Sequence, residues 1–110
     1  MLSFDCDTDA DSEVVASVHS RLRSIGLSPL YAVAGEVLAA AATTYREIAD
    51  DGAVFLNHGF RRHAAIDSTS GELTSTYFYG AAPTSEWQDD IRFGDEAIRN
   101  ILGQNPDGFR

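Results

Sequence analysis

The chain has 110 residues, of which 44% are hydrophobic, and carries a formal net charge of −9. That describes one domain with a modest core, too apolar to be disordered, and too acidic to bind the phosphates of a nucleic acid. The single cysteine, Cys6, forms no internal disulfide, and no apolar run nears the roughly 20 residues of a membrane span.

The elements follow in chain order. "LSF" at the start is expected to be a short apolar strand, so close to Met1 that no signal peptide is expected and the expected location is cytoplasmic. Residues 12–25 set Val14, Val15, Val18, Leu22 and Ile25 at helical spacing, with Asp11 or Ser12 as N-cap and Gly26 past the end. "PLYAVAG" is a second buried strand. Residues 36–50 are a helix with Val37, Leu38, Ala41, Tyr45 and Ile48 on one face, stopped by Gly52. "AVFLN" is the third strand. From Ala64 to Thr84 the pattern is ambiguous: "TSTYFYG" has the composition of a strand, while the Ser, Thr and Gly around it favour loop. Residues 85–102 are helical, with Trp87, Ile91, Phe93, Ile98 and Leu102 apolar and Gly94 weakening the middle. Strands alternating with helices define an α/β fold with a parallel sheet.

In such folds, sites gather beyond the carboxyl ends of the strands. Asp5 and Asp7 follow the first strand, and His58 follows the third. Asp5, Asp7, Asp9 and Asp11 stand at every second position, and like charges so close need a bound cation, a catalytic role or solvent to offset their repulsion. A calcium loop counted from Asp5 requires Gly at its sixth position and Glu at its twelfth, where Ala10 and Ala16 stand; counting from Asp7 fails as well. Asp9 and Asp11 suit the positive end of a helix dipole and are assigned to capping and solvation. That leaves Asp5 and Asp7 beside the histidines of "FLNHGFRRHA". Two histidines and a carboxylate are a common ligand set for catalytic zinc, although a histidine near a strand end is more often structural.

"SFDCDT", then "EIADDGAVFLNHGFRRH", then a closing "PDGFR" resemble the first three motifs of the NodB-type polysaccharide deacetylases, carbohydrate esterase family four. The resemblance implies an incomplete distorted (β/α) barrel and the hydrolysis of N-acetyl groups on sugars or polysaccharides. It implies Asp5 as catalytic base and Arg110 as the arginine that holds it. Asp7, His58 and His63 become ligands of a divalent metal: zinc, or else cobalt or another transition metal. Asn57 and Gly59 also fit the second motif.

Two departures qualify this. The family spaces its histidines four apart, whereas His58 and His63 are five apart. On a continuous helix that is about 500°, leaving the second imidazole some 140° off the first, so the turn must be irregular, with Gly59 supplying the freedom. The chain also stops inside the third motif, at Arg110. The reading is therefore of residues 1–110 as the amino-terminal part of a deacetylase domain, inactive alone, with Arg110 mobile as a terminus. The alternatives are a metal- or sugar-binding module without catalysis and an interaction domain with structural histidines.

Other residues carry blander expectations. Cys6 is assigned to core packing rather than zinc, and His19 to a structural role within the first helix. Tyr77, Phe78, Tyr79 and Trp87 are either core or a sugar-stacking platform. Arg61 and Arg62 belong to a solvated loop, with contact to an anionic substrate as the alternative.

Overall fold

A computed structural model describes all 110 residues. Three parallel strands form its centre: β1 (Ser3–Cys6), β2 (Leu30–Val33) and β3 (Val54–Asn57), side by side in chain order. The register sets Cys6 beside Val33 and Val33 beside Asn57, so all three strands end level. The connections are helical: α1 (Asp9–Ser24) between the first two strands, then α2 (Gly35–Ala40) and α3 (Ala42–Asp50) before the third. An antiparallel hairpin follows, β4 (Ala64–Ile66) with β5 (Leu73–Ser75), then a short 3-10 turn at Tyr79–Ala81 and the long helix α4 (Thr84–Leu102). No helix is long and apolar enough to cross a membrane. The result is the expected α/β order of parallel strands and helices, with the barrel unclosed.

Hydrophobic burial drives the assembly. Tyr31 and Val33 of β2, Val37 and Leu38 of α2, Tyr45 of α3, Phe55 of β3 and Ile98 of α4 are fully or almost fully buried in one cluster. Tyr31 and Tyr45 flank Phe55 at ring distances of 5.9 and 6.3 Å. Cys6 joins this core, as expected, and burial pushes its thiol pKa up to about 11. His19 is structural: its ring is buried between the Tyr31 hydroxyl at 3.1 Å and the Asp51 carboxylate at 3.0 Å.

Several details differ from the sequence reading. The first helix begins earlier, at Asp9, with Thr8 as N-cap in place of Asp11 or Ser12. Asp11 sits three residues in, where its carboxylate accepts hydrogen bonds from the backbone N–H of Thr8 at 2.8 Å and of Asp7 at 3.1 Å. The single helix expected over 36–50 is two, broken at Ala41. No glycine or proline marks the break. It lets α2 lie against α4 and α3 against α1 while Leu38 and Tyr45 both reach the core. Gly94 does not weaken α4 so much as fit it, because a side chain there would run into Asn57 and the Gly59 backbone.

The last four residues run beside β3 like a further parallel strand. Asp107 N–H donates to Phe55, Gly108 accepts from Asn57, and Arg110 N–H donates to the Asn57 carbonyl at 3.0 Å. Contrary to expectation, then, Arg110 is tied down. On a flat sheet its strand position would lie about 14 Å from β1, three spacings away. Its guanidinium nonetheless reaches Asp5 on β1, so the sheet curls strongly.

Candidate functional site

The level strand ends put β1 and β3 residues into one region, and the structure sorts them into two pairs. Asp5 lies within β1 rather than after it, and its carboxylate meets Arg110 Nε at 3.0 Å. The same guanidinium donates to the Ser3 hydroxyl. Asp7 lies past the strand end, and its Oδ1 is 3.1 Å from His58 Nε2. Two carboxylates one residue apart thus have different partners, an arginine for one and an imidazole for the other.

The Asp7–His58 contact is close but off the axis of a hydrogen bond, so Asp7 Oδ1 is buried with no hydrogen-bond partner. The imidazole still holds the Asp7 carboxyl below the usual carboxylate range, against the opposing effect of burial. Burial alone would lower the pKa of His58, but Asp7, the Arg110 carbonyl and Asp5 outweigh it and the net shift is upward. His58 Nδ1 lies 2.6 Å from the Arg110 carbonyl oxygen, which can only accept, so Nδ1 carries the proton. In the neutral ring the lone pair is then on Nε2, the ring atom nearest the Asp7 oxygen.

His63 is brought close to this pair. The two imidazole centroids are 4.8 Å apart, and residues 58–63 form an irregular turn pivoting on Gly59 at φ +79°, as the five-residue spacing demands. Yet His63 Nε2 is engaged with the His58 carbonyl rather than with Asp7. No three His, Cys, Asp or Glu side chains converge in a set that could hold a metal ion.

The turn is gripped from two sides. Gly35 and Glu36 at the start of α2 donate their backbone N–H groups to the carbonyls of Gly59 and Phe60 at 2.9 and 2.8 Å. From the α4 side, Asn57 donates to the Ile91 carbonyl at 2.7 Å and accepts from Gly59 N–H at 2.8 Å. Asp90, only 2% exposed, accepts from Arg61 N–H and from the Tyr79 hydroxyl, both at 2.8 Å. The sequence reading missed Asp90. One signal was present: it sits four residues before Gly94 and eight before Ile98, so the three share a helix face.

Arg61 and Arg62 are both paired with acids, Arg61 with Glu86 at 3.7 Å and Arg62 with Asp9 at 2.7 Å. Asp11 is the capping acid, while Asp9 is exposed and takes that ion pair. Tyr77, Tyr79 and Trp87 are half-buried and Phe78 exposed, all outside the main core. Tyr79 stacks on Phe109 at 6.2 Å and lies edge-on to His63 at 5.9 Å.

The fold is similar to part of the fold of solved polysaccharide deacetylases. The Bc1960 peptidoglycan N-acetylglucosamine deacetylase matches over 96% of this chain and 42% of its own, with TM-score 0.71 and 19% identity. A T48 deacetylase, solved with substrate, matches over 96% of this chain and 44% of its own, with TM-score 0.64 and 20% identity. A BA3943 mutant, a CE4 family pseudoenzyme with restored enzymatic activity, matches over 99% and 37%, with TM-score 0.72 and 14% identity. The chain spans about two-fifths of the length of these solved structures. At such identities the likeness is one of fold. No family model and no curated protein matches the sequence.

Proposed function

We propose that residues 1–110 are the amino-terminal part of a metal-dependent deacetylase domain that hydrolyses N-acetyl groups on carbohydrate. Asp5 is the base, Arg110 holds it, and Asp7, His58 and His63 are the metal ligands. The observation that carries this reading is the separation of Asp5 and Asp7 onto different partners. A hydrolase of this kind needs one acid free to take a proton and another to bind the cation.

The residues fit a divalent ion in part. Two ligands of a tetrahedral zinc, each bonded at about 2.0–2.1 Å, lie about 3.3 Å from each other. Asp7 Oδ1 and His58 Nε2 are 3.1 Å apart, and the oxygen lacks any other partner. A carboxylate oxygen beside an unprotonated ring nitrogen is repelled, and either a proton on Nε2 or a cation between the two atoms relieves that. His63 stands beside the pair but joins the set only if its Nε2 leaves the His58 carbonyl that it engages here.

When bound, such an ion polarises the amide carbonyl and acidifies its water. Asp5, outside that ligand set, accepts the proton as water attacks. The Arg110 guanidinium holds the Asp5 carboxylate in place, while the Arg110 carbonyl fixes the His58 tautomer from behind. The proton donor for the leaving amine and the rest of the substrate groove are proposed to lie in the part of the domain outside these residues. Residues 1–110 alone should then release no acetate from acetylated chito-oligosaccharides, with or without zinc.

Zinc titration tests the ligand set. The segment is expected to bind one ion, with binding abolished by Asp7→Ala and by His58→Ala and weakened by His63→Ala. Unchanged affinity in His63→Ala removes that residue from the site, and no binding by the unsubstituted segment removes the metal. The second reading, a binding module without catalysis, draws support from the pseudoenzyme on the same fold and from the position of His63. Acetate release by the whole domain separates the two.

A further inference from the structure

Two imidazoles five residues apart meet only if the turn between them is held in an unusual shape, and one carboxylate on α4 is placed to hold it. Asp90 is almost wholly buried and has no cationic partner within ion-pair distance. Burying a carboxyl group costs free energy unless its oxygens are hydrogen-bonded. Asp90 uses both oxygens. Oδ1 takes the N–H of Arg61, midway between His58 and His63, and Oδ2 takes the hydroxyl of Tyr79, whose ring lies edge-on to His63. A Cβ built on Gly59 would overlap Oδ2 and come within 2.6 Å of the Tyr79 hydroxyl and 3.1 Å of His63 Nε2. Carboxylate, phenol and imidazole therefore close over the pivot of the turn.

We infer that Asp90 is a positioning residue: by pinning Arg61 N–H and the Tyr79 hydroxyl to α4, it sets where His63 stands relative to His58. The inference rests on the metal reading only for its effect on zinc, not for its effect on the turn. Gly94, one helical turn along, completes the arrangement by letting the turn lie directly on the helix.

The test compares three variants. Asp90→Ala removes both acceptors; Asp90→Asn keeps an acceptor for Arg61 N–H and a group that Tyr79 can pair with; Ile98→Val thins the core of the same helix without touching the turn. Amide exchange reads the turn directly, and zinc competition against a chelator reads its consequence. Loss of a group that orients a ligand typically weakens metal binding about 10- to 100-fold. Asp90→Ala is expected to speed exchange at Arg61 and weaken zinc by that factor. Asp90→Asn should restore both to within about threefold, and Ile98→Val should lower Tm while leaving both unchanged. Tyr79→Phe, a milder cut, covers the case in which Asp90→Ala does not fold, and should weaken zinc by a smaller factor. Wild-type affinity in Asp90→Ala, or loss of affinity in Ile98→Val matching its loss of Tm, overturns the inference. Should the unsubstituted segment bind no zinc, the metal reading fails, and exchange at Arg61 alone decides on Asp90.

Discussion

The turn at 58–63 and the hairpin that follows it at 64–75 are neighbours in the chain with opposite designs. The turn is pinned by two α2 backbone donors, by Asn57 and by Asp90, and Gly59 at its pivot has buried groups packed against it. The hairpin is held by its own ladder and by an aspartate turn in which Asp67 accepts from Thr69 and Ser70. Ile66 and Leu73 stand exposed on it, and Gly71, at φ +73°, has nothing near its absent side chain. Rigidity here follows the candidate chemistry: the segment that carries two imidazoles is over-determined, and the segment that carries none is not.

Two glycines give the sharpest way to break this contrast. Gly59 and Gly71 have almost the same positive φ, so the backbone strain of an alanine is the same at each, roughly 1–2 kcal/mol. Only Gly59 adds a collision with Asp90 and Tyr79. Gly59→Ala is expected to cost about 3 kcal/mol or more and Gly71→Ala about 1, read by urea unfolding. Equal costs would show that the turn is no more tightly built than the hairpin.

A smaller effect concerns the thiol at the strand end beside the site. Burial raises the Cys6 pKa from 9.0 to about 11, so the folded state favours the neutral thiol. Its contribution to stability is intact below pH 9 and is lost as pH rises from there toward 11. Iodoacetamide at pH 8 should accordingly label Cys6 far more slowly in the native protein than in urea. Rapid native labelling would mean that the end of β1 opens freely.

The smallest is at the hairpin tip. Backbone hydrogen bonds from Ser70 and Thr69 hold the Asp67 carboxyl below its usual range. The turn keeps this support above the ordinary carboxylate pKa and loses it as pH falls through the lowered value. The amide resonances of Thr69 and Ser70 should shift in that acid range. That of Gly59, whose acceptor is the neutral Asn57 amide, should not respond to an acceptor losing its charge.

Much of this design was legible in the sequence, and the exceptions have physical reasons. The apolar periods of "LYAVAG" and "AVFLN" locate β2 and β3 because both are buried strands, where burial leaves little choice of residue. The irregular turn was implied by counting from His58 to His63. The break at Ala41 was not visible, since it comes from two helices reaching one core and not from a breaker residue. Thr8 is masked as N-cap because Asp11 is itself a strong capper, acting here from inside the first turn. Asp90 was hidden for a related reason: a carboxylate on an amphipathic helix ordinarily faces water. Gly94 reads as a flaw in the sequence because the turn that lies on it is distant along the chain.

Zinc binding by two conservative variants tests the proposed division of labour between Asp5 and Asp7 most directly. Asp5→Asn should bind zinc within a few-fold of the unsubstituted segment, since Asp5 meets Arg110 and lies outside the proposed ligand pair. Asp7→Asn should lose it by two orders of magnitude or more, on the order of the cost of removing a charged ligand. Loss of zinc in Asp5→Asn with retention in Asp7→Asn would contradict the assignment and exchange the two roles.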